Sequence, residues 1–286
     1  MKLQKSQIDQ GPILYLVPTP IGNIEDISPR AVDTLKKVDV ILCEDTRVTK
    51  ILLSHFNITA TLISYHNFNE EERTEDALSI LSKAKDIALV SDAGMPLVSD
   101  PGYVLVREAI EKGYRVISIP GPNAGITALI ASGLPTEKFL FYGFLSSKPN
   151  KRRQEITQLQ DIPYTILFYE APHRINDTLA DMEELLGTRE VVVARELTKT
   201  YEEYVRGTLD EVKDLIYRGE IVIVLSGAKE LKQVTSLNEK PIEEHYQFYL
   251  DQGLQDKEAM KQVASDRKVA KSTIYKTLES LKGSLK

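Results

Sequence analysis

Acidic, basic and turn-forming residues collect at the ends of several apolar runs in this sequence. The richest stretch is S-D-A-G-M-P-L-V-S-D-P-G, residues 91–102, which directly follows the apolar run 87–90. Glycine lacks a Cβ and proline fixes φ, so such a loop can bring backbone close to a polar ligand. We interpret it as part of a small-molecule site; an ordinary turn between a strand and a helix is the alternative.

Two further clusters place charged groups at predicted strand ends. C-E-D-T-R, residues 43–47, combines two acids, a hydroxyl and a guanidinium, which suits acid/base chemistry and phosphate binding. The alternative is an internal salt bridge from Arg47 to Glu44 or Asp45. F-Y-E-A-P-H-R-I, residues 168–175, leaves a strand for a helix and brings its own acid, imidazole and guanidinium to the strand edge, where ligands bind. There, His173 could instead cap the helix or lie in the core.

The remaining motifs are proline-rich or basic. V-P-T-P-I-G-N, residues 17–23, follows the first predicted strand, where a phosphate-binding loop would lie, but it has only one glycine. A dinucleotide site is therefore disfavoured, and the segment could be no more than a plain turn. A-R-E-L-T-K, residues 194–199, ends another strand, where its charges could simply pair with one another. The stretch S-S-K-P-N-K-R-R, residues 146–153, predicts contacts to a nucleic acid backbone or a solvated charged loop; its cations are Lys148, Lys151, Arg152 and Arg153.

Composition limits the class of protein. The chain has 286 residues, 42% apolar content, a net charge of −6 and one cysteine, Cys43. It can therefore bury a hydrophobic core, cannot form an internal disulfide, and is not expected to coat nucleic acid non-specifically. Its start lacks the apolar core of a signal peptide, no run approaches a membrane span, and no Cys/His cluster has metal spacing. We expect a cytoplasmic protein that does not bind membranes and has no resident metal.

The elements that must position these motifs alternate between strand and helix patterns, which predicts an α/β fold. The runs V-V-V-A and I-V-I-V-L are apolar without alternation and indicate strands buried on both faces. We predict two α/β domains, 1–122 and 123–230. A helix-turn-helix module is predicted over 241–286; it is either a packing module or a nucleic acid reader, and a reader would use Lys271, Ser272, Thr273 and Lys276.

Taken together and in order, the motifs at 17–23, 43–47, 91–102, 168–175 and 194–199, with P-G-P-N-A at 120–124, resemble those of the tetrapyrrole methylase superfamily. The resemblance covers residues 11–228 and is greatest to the ribosomal RNA branch of that superfamily. The resemblance implies two α/β domains with S-adenosylmethionine in a cleft between them, and a homodimer. It also implies 2′-O-methylation of a cytidine ribose in the decoding region of 16S ribosomal RNA, on free RNA or the small ribosomal subunit.

We infer the roles of the residues that would face the substrate from the chemistry of this methyl transfer. The general base stays open among Glu44, Asp45 and Glu170, and RNA phosphate would be bound by Arg47, His173 and Arg174 together with the basic loop 146–153. Cofactor-binding positions carried over from the family are Pro18, Asp92, Ala93, Gly94, Ser99, Asn123, Ala124 and Tyr169.

Two other functions remain open. One is a methyltransferase acting on a tetrapyrrole or another small molecule, because the two-domain scaffold hosts several chemistries. The basic loop and the helix-turn-helix argue against it. The other is a non-catalytic RNA-binding assembly factor, against which the acidic and arginine clusters at several strand ends argue.

Overall fold

The computed structural model of the chain describes residues 3–6, 8, 10–228, 237–238, 240–267 and 269–284. The chain forms two compact units, Met1–Gly227 and Ala228–Lys286. None of the helices in the described ranges combines the length and apolar character needed to cross a membrane.

The first half of the larger unit is a parallel five-stranded sheet in the order β3-β2-β4-β1-β5. Its strands are β1 (Ile13–Val17), β2 (Val40–Cys43), β3 (Thr61–Ser64), β4 (Ile87–Val90) and β5 (Arg115–Ser118). The connecting helices are α1 (Pro29–Lys37), α2 (Thr46–His55), α3 (Glu70–Ser82) and α4 (Tyr103–Glu111).

Helices cover both faces of this sheet. Leu35 of α1 and Leu53 of α2 belong to one core cluster, while Leu81 of α3 and Leu105 of α4 belong to the cluster on the other face. Every residue of β2 and β4 is buried, as expected for apolar runs without alternation in a parallel sheet. Each of these helices returns the chain to the edge where the strands begin, so all five strands end at the opposite edge of the sheet.

The second half has a mixed sheet in the order β6-β7-β10-β8-β9, in which only the β6 and β7 pair is parallel. Its strands are β6 (Phe139–Phe144), β7 (Thr165–Glu170), β8 (Glu190–Arg195), β9 (Glu203–Thr208) and β10 (Ile221–Leu225). Its helices are α5 (Ala124–Ser132), α6 (Pro149–Gln158), α7 (Ile175–Leu186) and the short α8 (Leu209–Val212).

The α/β fold with two sheets and a C-terminal helical unit is confirmed. Strand β9 and helix α8 were not predicted, because E-E-Y-V-R-G-T mixes charges and a glycine into a short edge strand. The boundary predicted at 122/123 falls between β5 and α5, within the compact unit Met1–Gly227, so that division stays a prediction.

Within residues 240–267 and 269–284, the smaller unit forms the helices α9 (Ile242–Asp251), α10 (Asp256–Asp266) and α11 (Lys271–Ser284). The last two are the predicted helix pair, whereas α9 was not predicted. Tyr246 from α9, Val263 from α10 and Ile274 from α11 share a small apolar core. The side chains of Lys271, Ser272, Thr273 and Lys276 are exposed, as a reading helix requires.

The structure corrects the assignment of Arg152 and Arg153 to RNA binding. Arg152 is buried, and its Nε donates to Asp181 Oδ2 at 2.7 Å. Arg153 donates to Asp181 Oδ1 at 2.6 Å and also pairs with Glu184. Both guanidinium groups therefore tie α6 to α7. Lys148 and Lys151, in contrast, remain exposed.

Replacing Asp181→Ala should lower the free energy of unfolding by about 3–5 kcal/mol, because it leaves the buried Arg152 charge without its partner. Urea denaturation followed by circular dichroism measures the change. Arg107→Ala, which breaks an exposed pair with Glu111, is the control and should change stability by about 0–1 kcal/mol. Equal effects of the two variants would contradict the role given to Asp181.

Candidate functional site

A cavity of about 440 Å³ lies where the carboxyl edge of the parallel sheet faces the second sheet. The loops that follow β1, β2 and β4 form one side, and the start of α5 with the ends of β6 and β7 and the start of β10 forms the other. This edge is where open α/β sheets bind their ligands. Nine residues predicted from sequence line it: Glu44, Asp92, Ala93, Gly94, Ser99, Asn123, Ala124, Tyr169 and Glu170.

The loop 91–102 reaches the cavity through an unusual backbone path. Gly94, Leu97, Ser99 and Gly102 all have positive φ, at 82°, 70°, 69° and 134°. Left-handed leucine and serine are strained, and such strain concentrates at ligand sites. A Cβ at Gly102 would also lie 2.6 Å from Leu89 Cδ2, so only glycine fits there. An ordinary turn between a strand and a helix would not need this strained backbone, so the interpretation of the loop as part of a ligand site is favoured.

Backbone pairing fastens this loop to the one after β1. Thr19 N donates to Gly94 O at 2.9 Å, and Gly94 N donates back to Thr19 O at 3.1 Å. Ser91 Oγ also donates to Gly94 O, at 2.8 Å. Pro18 is absent from the cavity lining and instead packs so closely on Gly121 that a Cβ there would lie 2.3 Å from Pro18 Cγ. Pro18 therefore supports the cavity wall through Gly121 and does not line the cavity, where its predicted contact with the cofactor would be made.

Three carboxyl groups meet at the cavity: Glu44 after β2, and Asp92 and Asp100 in the loop after β4. Burial, together with repulsion from Asp100 and Asp92, raises the pKa of Glu44 to about 7. Burial and the nearby Asp92 raise the pKa of Asp100 to about 6, although hydrogen bonds from Glu44 and Ser91 oppose that rise. The pKa of Asp92 is also raised, mainly by burial. A cationic ligand would relieve this crowding of negative charge.

Asp45 and Arg47 form the internal salt bridge considered as the alternative. Arg47 Nη2 lies 2.6 Å from Asp45 Oδ2, and Asp45 Oδ1 accepts from Arg47 N at 2.8 Å, so Asp45 caps α2. These hydrogen bonds lower the pKa of Asp45 to about 2. Neither residue lines the cavity. Asp45 is therefore a poor general base, and only Arg47, with its side chain 88% exposed, stays available to a large substrate.

Glu170 lines the cavity but has little capacity for chemistry. Its carboxylate is buried and accepts from Ala171 N at 2.7 Å, from Thr178 Oγ1 at 2.7 Å, and from Arg174 Nε. Arg174 also donates to Leu145 O at 3.1 Å. The structure therefore assigns Glu170 and Arg174 to holding the turn between β7 and α7. His173, on the same turn, is exposed and does not line the cavity.

The start of α5 completes the second wall. Asn123 Oδ1 caps the helix by accepting from Ile126 N at 2.9 Å, and Tyr169 OH accepts from Gly125 N at 3.3 Å. These bonds hold Ala124 and the Tyr169 ring against the cavity. In the loop 194–199, Lys199 pairs with Glu196 at 3.1 Å, so the mutual pairing considered from sequence is present.

Sequence reasoning missed several lining residues. Asp100 lies in the loop 91–102 but was not among the predicted site residues. Its position in the same loop, eight residues after Asp92, could have indicated it. The apolar lining was missed although part of it lies within the quoted motifs, because nothing in the sequence shows which apolar side chains from the two sheets converge in the fold. It includes Ile21, Met95, Val98, Phe144, Leu197 and Val222. Among the described residues, no group of three or more His, Cys, Asp or Glu side chains is arranged to hold a metal ion.

Comparison with known proteins gives consistent matches. The family model described as Tetrapyrrole (Corrin/Porphyrin) Methylases matches residues 13–213. A Halalkalibacterium halodurans protein named ribosomal RNA small subunit methyltransferase I is 49% identical over 284 residues, covering 96% of this chain and 98% of that protein. A Bacillus subtilis protein of the same name is 47% identical, with 92% of each chain covered.

The fold also matches a solved structure at low identity. Uroporphyrin-III C-methyltransferase from Thermus thermophilus, complexed with S-adenyl homocysteine, superposes with a TM-score of 0.54 at 19% identity. The match covers 78% of this chain and 100% of that one. At this identity the likeness supports the arrangement of the two sheets alone.

The raised carboxyl pKa values predict a stability profile. Between about pH 4.5 and 7 the folded chain holds a proton on Glu44 that the unfolded chain has lost, so stability falls as pH rises. Glu44→Gln should therefore be more stable than the parent above pH 7, by about 1–2 kcal/mol after allowing for solvent screening, and equal to it near pH 4. Thermal unfolding across pH measures this. Glu72→Gln, an exposed carboxyl on α3, should show no such gain; a flat difference for Glu44→Gln would contradict the burial argument.

Proposed function

The chain belongs to the tetrapyrrole methylase family and, within it, to the ribosomal RNA small subunit methyltransferase I group, and we propose that it methylates the 2′-oxygen of a cytidine ribose in the decoding region of 16S ribosomal RNA. The observation that carries the RNA substrate is the extent of the match: relatives bearing that name align with 92–98% of the chain, including the helical unit after Gly227. It acts as a methyltransferase, and the methyl donor is S-adenosylmethionine.

The cavity fits this donor chemically. Its volume of about 440 Å³ lies in the range of small-molecule sites. The donor is cationic at its sulfonium and ammonium groups, which suits the crowded carboxyl groups, while Ile21, Val98 and Leu197 offer apolar wall for an adenine. When bound, S-adenosylmethionine supplies an activated methyl group. Asp92, Ala93 and Gly94 present backbone and carboxylate on one side, and Asn123, Ala124 and Tyr169 close the other.

Glu44 is the general base in this proposal. A ribose hydroxyl is a weak nucleophile until it loses its proton, and a base works best when its pKa lies near the working pH. Glu44 lines the cavity, and its pKa of about 7 meets this condition, whereas Asp45 is held ionised by Arg47 and Glu170 is fully hydrogen-bonded. The Glu44 carboxylate would take the 2′-hydroxyl proton, and Asp100 would share that proton through its hydrogen bond to Glu44.

Several exposed groups outside the cavity suit a large anionic partner, free 16S ribosomal RNA or the small subunit. Arg47, His173, Lys148 and Lys151 keep their proposed phosphate-binding role, because all four are exposed. The exposed first turn of α11 adds Lys271 and its neighbours.

We also propose a homodimer. The inner face of α5 packs on the second sheet through Ala128 and Leu129, and its outer face exposes the apolar side chains of Ile126 and Ile130. A helix that is apolar on both faces is usually buried on both. A second copy of the chain would cover the outer face.

The deciding experiment transfers labelled methyl from S-adenosylmethionine to small ribosomal subunits that lack the modification, followed by nuclease mapping. Label on one cytidine 2′-oxygen is expected, at a rate that rises with pH through about 7 as Glu44 ionises. Glu44→Gln should lower kcat by about 10²–10⁴-fold while the donor still binds. The exposed Glu72→Gln serves as the matched control. Donor binding without label on subunits or free RNA would overturn the proposal and direct the search to small-molecule acceptors.

A second prediction concerns α11. The double variant Lys271→Ala with Lys276→Ala should weaken subunit binding and reduce the salt slope of log affinity by about 1.4, or 0.7 per lost phosphate contact. Donor affinity, measured by calorimetry, should not change. Lys112→Ala, an exposed lysine at the end of α4, is the control. An unchanged salt slope would leave the helix pair with a packing role only.

A further inference from the structure

Exposed aromatic side chains lie on three segments near the carboxyl edge of the parallel sheet, where the cavity is found. Phe68, in the turn after β3, is 98% exposed, and Tyr103, the first residue of α4, is 67% exposed. Phe144, at the end of β6, lines the cavity yet is 54% exposed. We refer to Phe68, Tyr103 and Phe144 as the aromatic rim. Leaving such a side chain in water forgoes about 1.5–3 kcal/mol of burial energy, so three at one edge require a reason.

Contacts bring the three segments that carry these rings to the same edge. Ser64, at the end of β3, pairs in register with Cys43, directly before Glu44. Gly102 N, directly before Tyr103, donates to Glu70 Oε1 at 3.0 Å, which ties the start of α4 to the start of α3 just beyond Phe68. On the far side, a Cβ at Gly143 would lie 3.2 Å from Ser99 Oγ, so β6 meets the loop 91–102 beside Phe144.

Hydrogen bonds fix the turn that carries the exposed Phe68. Asn69 Oδ1 accepts from His66 N at 2.8 Å, and Asn69 Nδ2 donates to Ser64 O at 3.2 Å. The His66 ring packs edge-on against Phe68, with 6.0 Å between centroids. Phe144 is held in the same edge-on way by Tyr169, at 5.6 Å. The turn that carries Phe68 and the ring of Phe144 are therefore positioned before any ligand arrives.

We propose that the aromatic rim stacks the unpaired nucleotides that flank the methylated residue, an inference that rests on the proposed RNA methylation. A ribose can enter the cavity beside Glu44 only if its nucleotide leaves the helical stack, and its neighbours then lose their own stacking partners. Aromatic side chains replace those partners in single-stranded RNA recognition. Phe144 makes the rim continuous with the cavity wall, so nucleotides flanking a bound ribose must pass over it.

Charge around the rim fits the same ligand. Arg47 lies in the first turn of α2, beside the end of β3, with its side chain 88% exposed. Neighbouring strands are about 4.8 Å apart, so the ends of β3 and β4, two strands away, are separated by about 10 Å. A single RNA strand running along this edge would bring a phosphate within reach of Arg47 while its bases approach the aromatic rim.

The test measures methylation kinetics on small ribosomal subunits with the full-length protein. Phe68→Ala and Tyr103→Ala should each raise KM for subunits about 5- to 100-fold, the loss expected for one stacked base, with kcat and donor affinity unchanged. Phe68→Trp and Tyr103→Phe keep a ring and should restore the parental KM. Tyr164→Ala, an exposed aromatic at the start of β7 and so at the opposite edge, is the matched control.

The outcomes distinguish a failure of the aromatic rim proposal from a failure of the proposed RNA methylation. If the parent protein labels subunits but both alanine variants keep its KM, the rim does not contact RNA and the inference fails alone. If the ring-keeping variants fail to restore KM, the positions matter for folding rather than stacking, and the inference also fails. If the parent protein labels no RNA, the proposed function itself is wrong.

Discussion

Pairing between two loops controls the geometry of the whole site. The reciprocal backbone bonds between Thr19 and Gly94 join the turns after β1 and β4, neighbouring strands at the centre of the parallel sheet. Because this bridge fixes Gly94, it also fixes the neighbouring Asp92 and the strained turns that follow. The acid cluster, the cavity wall and the start of α4 are all continuous with this one loop.

That arrangement sacrifices stability for chemistry. Three carboxyl groups crowded together, two of them half-buried, oppose folding whenever they are ionised, and left-handed Leu97 and Ser99 add backbone strain. The rest of the unit offsets these costs with strands buried on both faces and with charges paired inside the fold, such as Arg152 with Asp181. A cationic donor would neutralise the cluster, so ligand binding and stability are expected to be linked.

Most of the fold, but only part of the site, could be predicted from the sequence. Central strands were predictable because continuous apolar runs report double burial, whereas β9 was not, since an edge strand tolerates charges and glycine. Motifs located the cavity because its carboxylates lie in turns with recognisable composition. They could not separate Glu44 from Asp45 as base, since one faces the cavity and the other caps a helix one residue away. Nor could they show that Arg152 points inward.

The two sheets make different contributions, and their topologies explain why. In a parallel sheet every strand ends at the same edge, so polar loops accumulate there and can assemble the acid cluster. In the mixed sheet, strands run both ways, and the edge facing the cavity receives the ends of β6 and β7 but the start of β10. That edge supplies apolar and aromatic wall with few long loops. An acidic cluster on one side and a hydrophobic, ring-bearing surface on the other suit a donor that is cationic at one end and aromatic at the other.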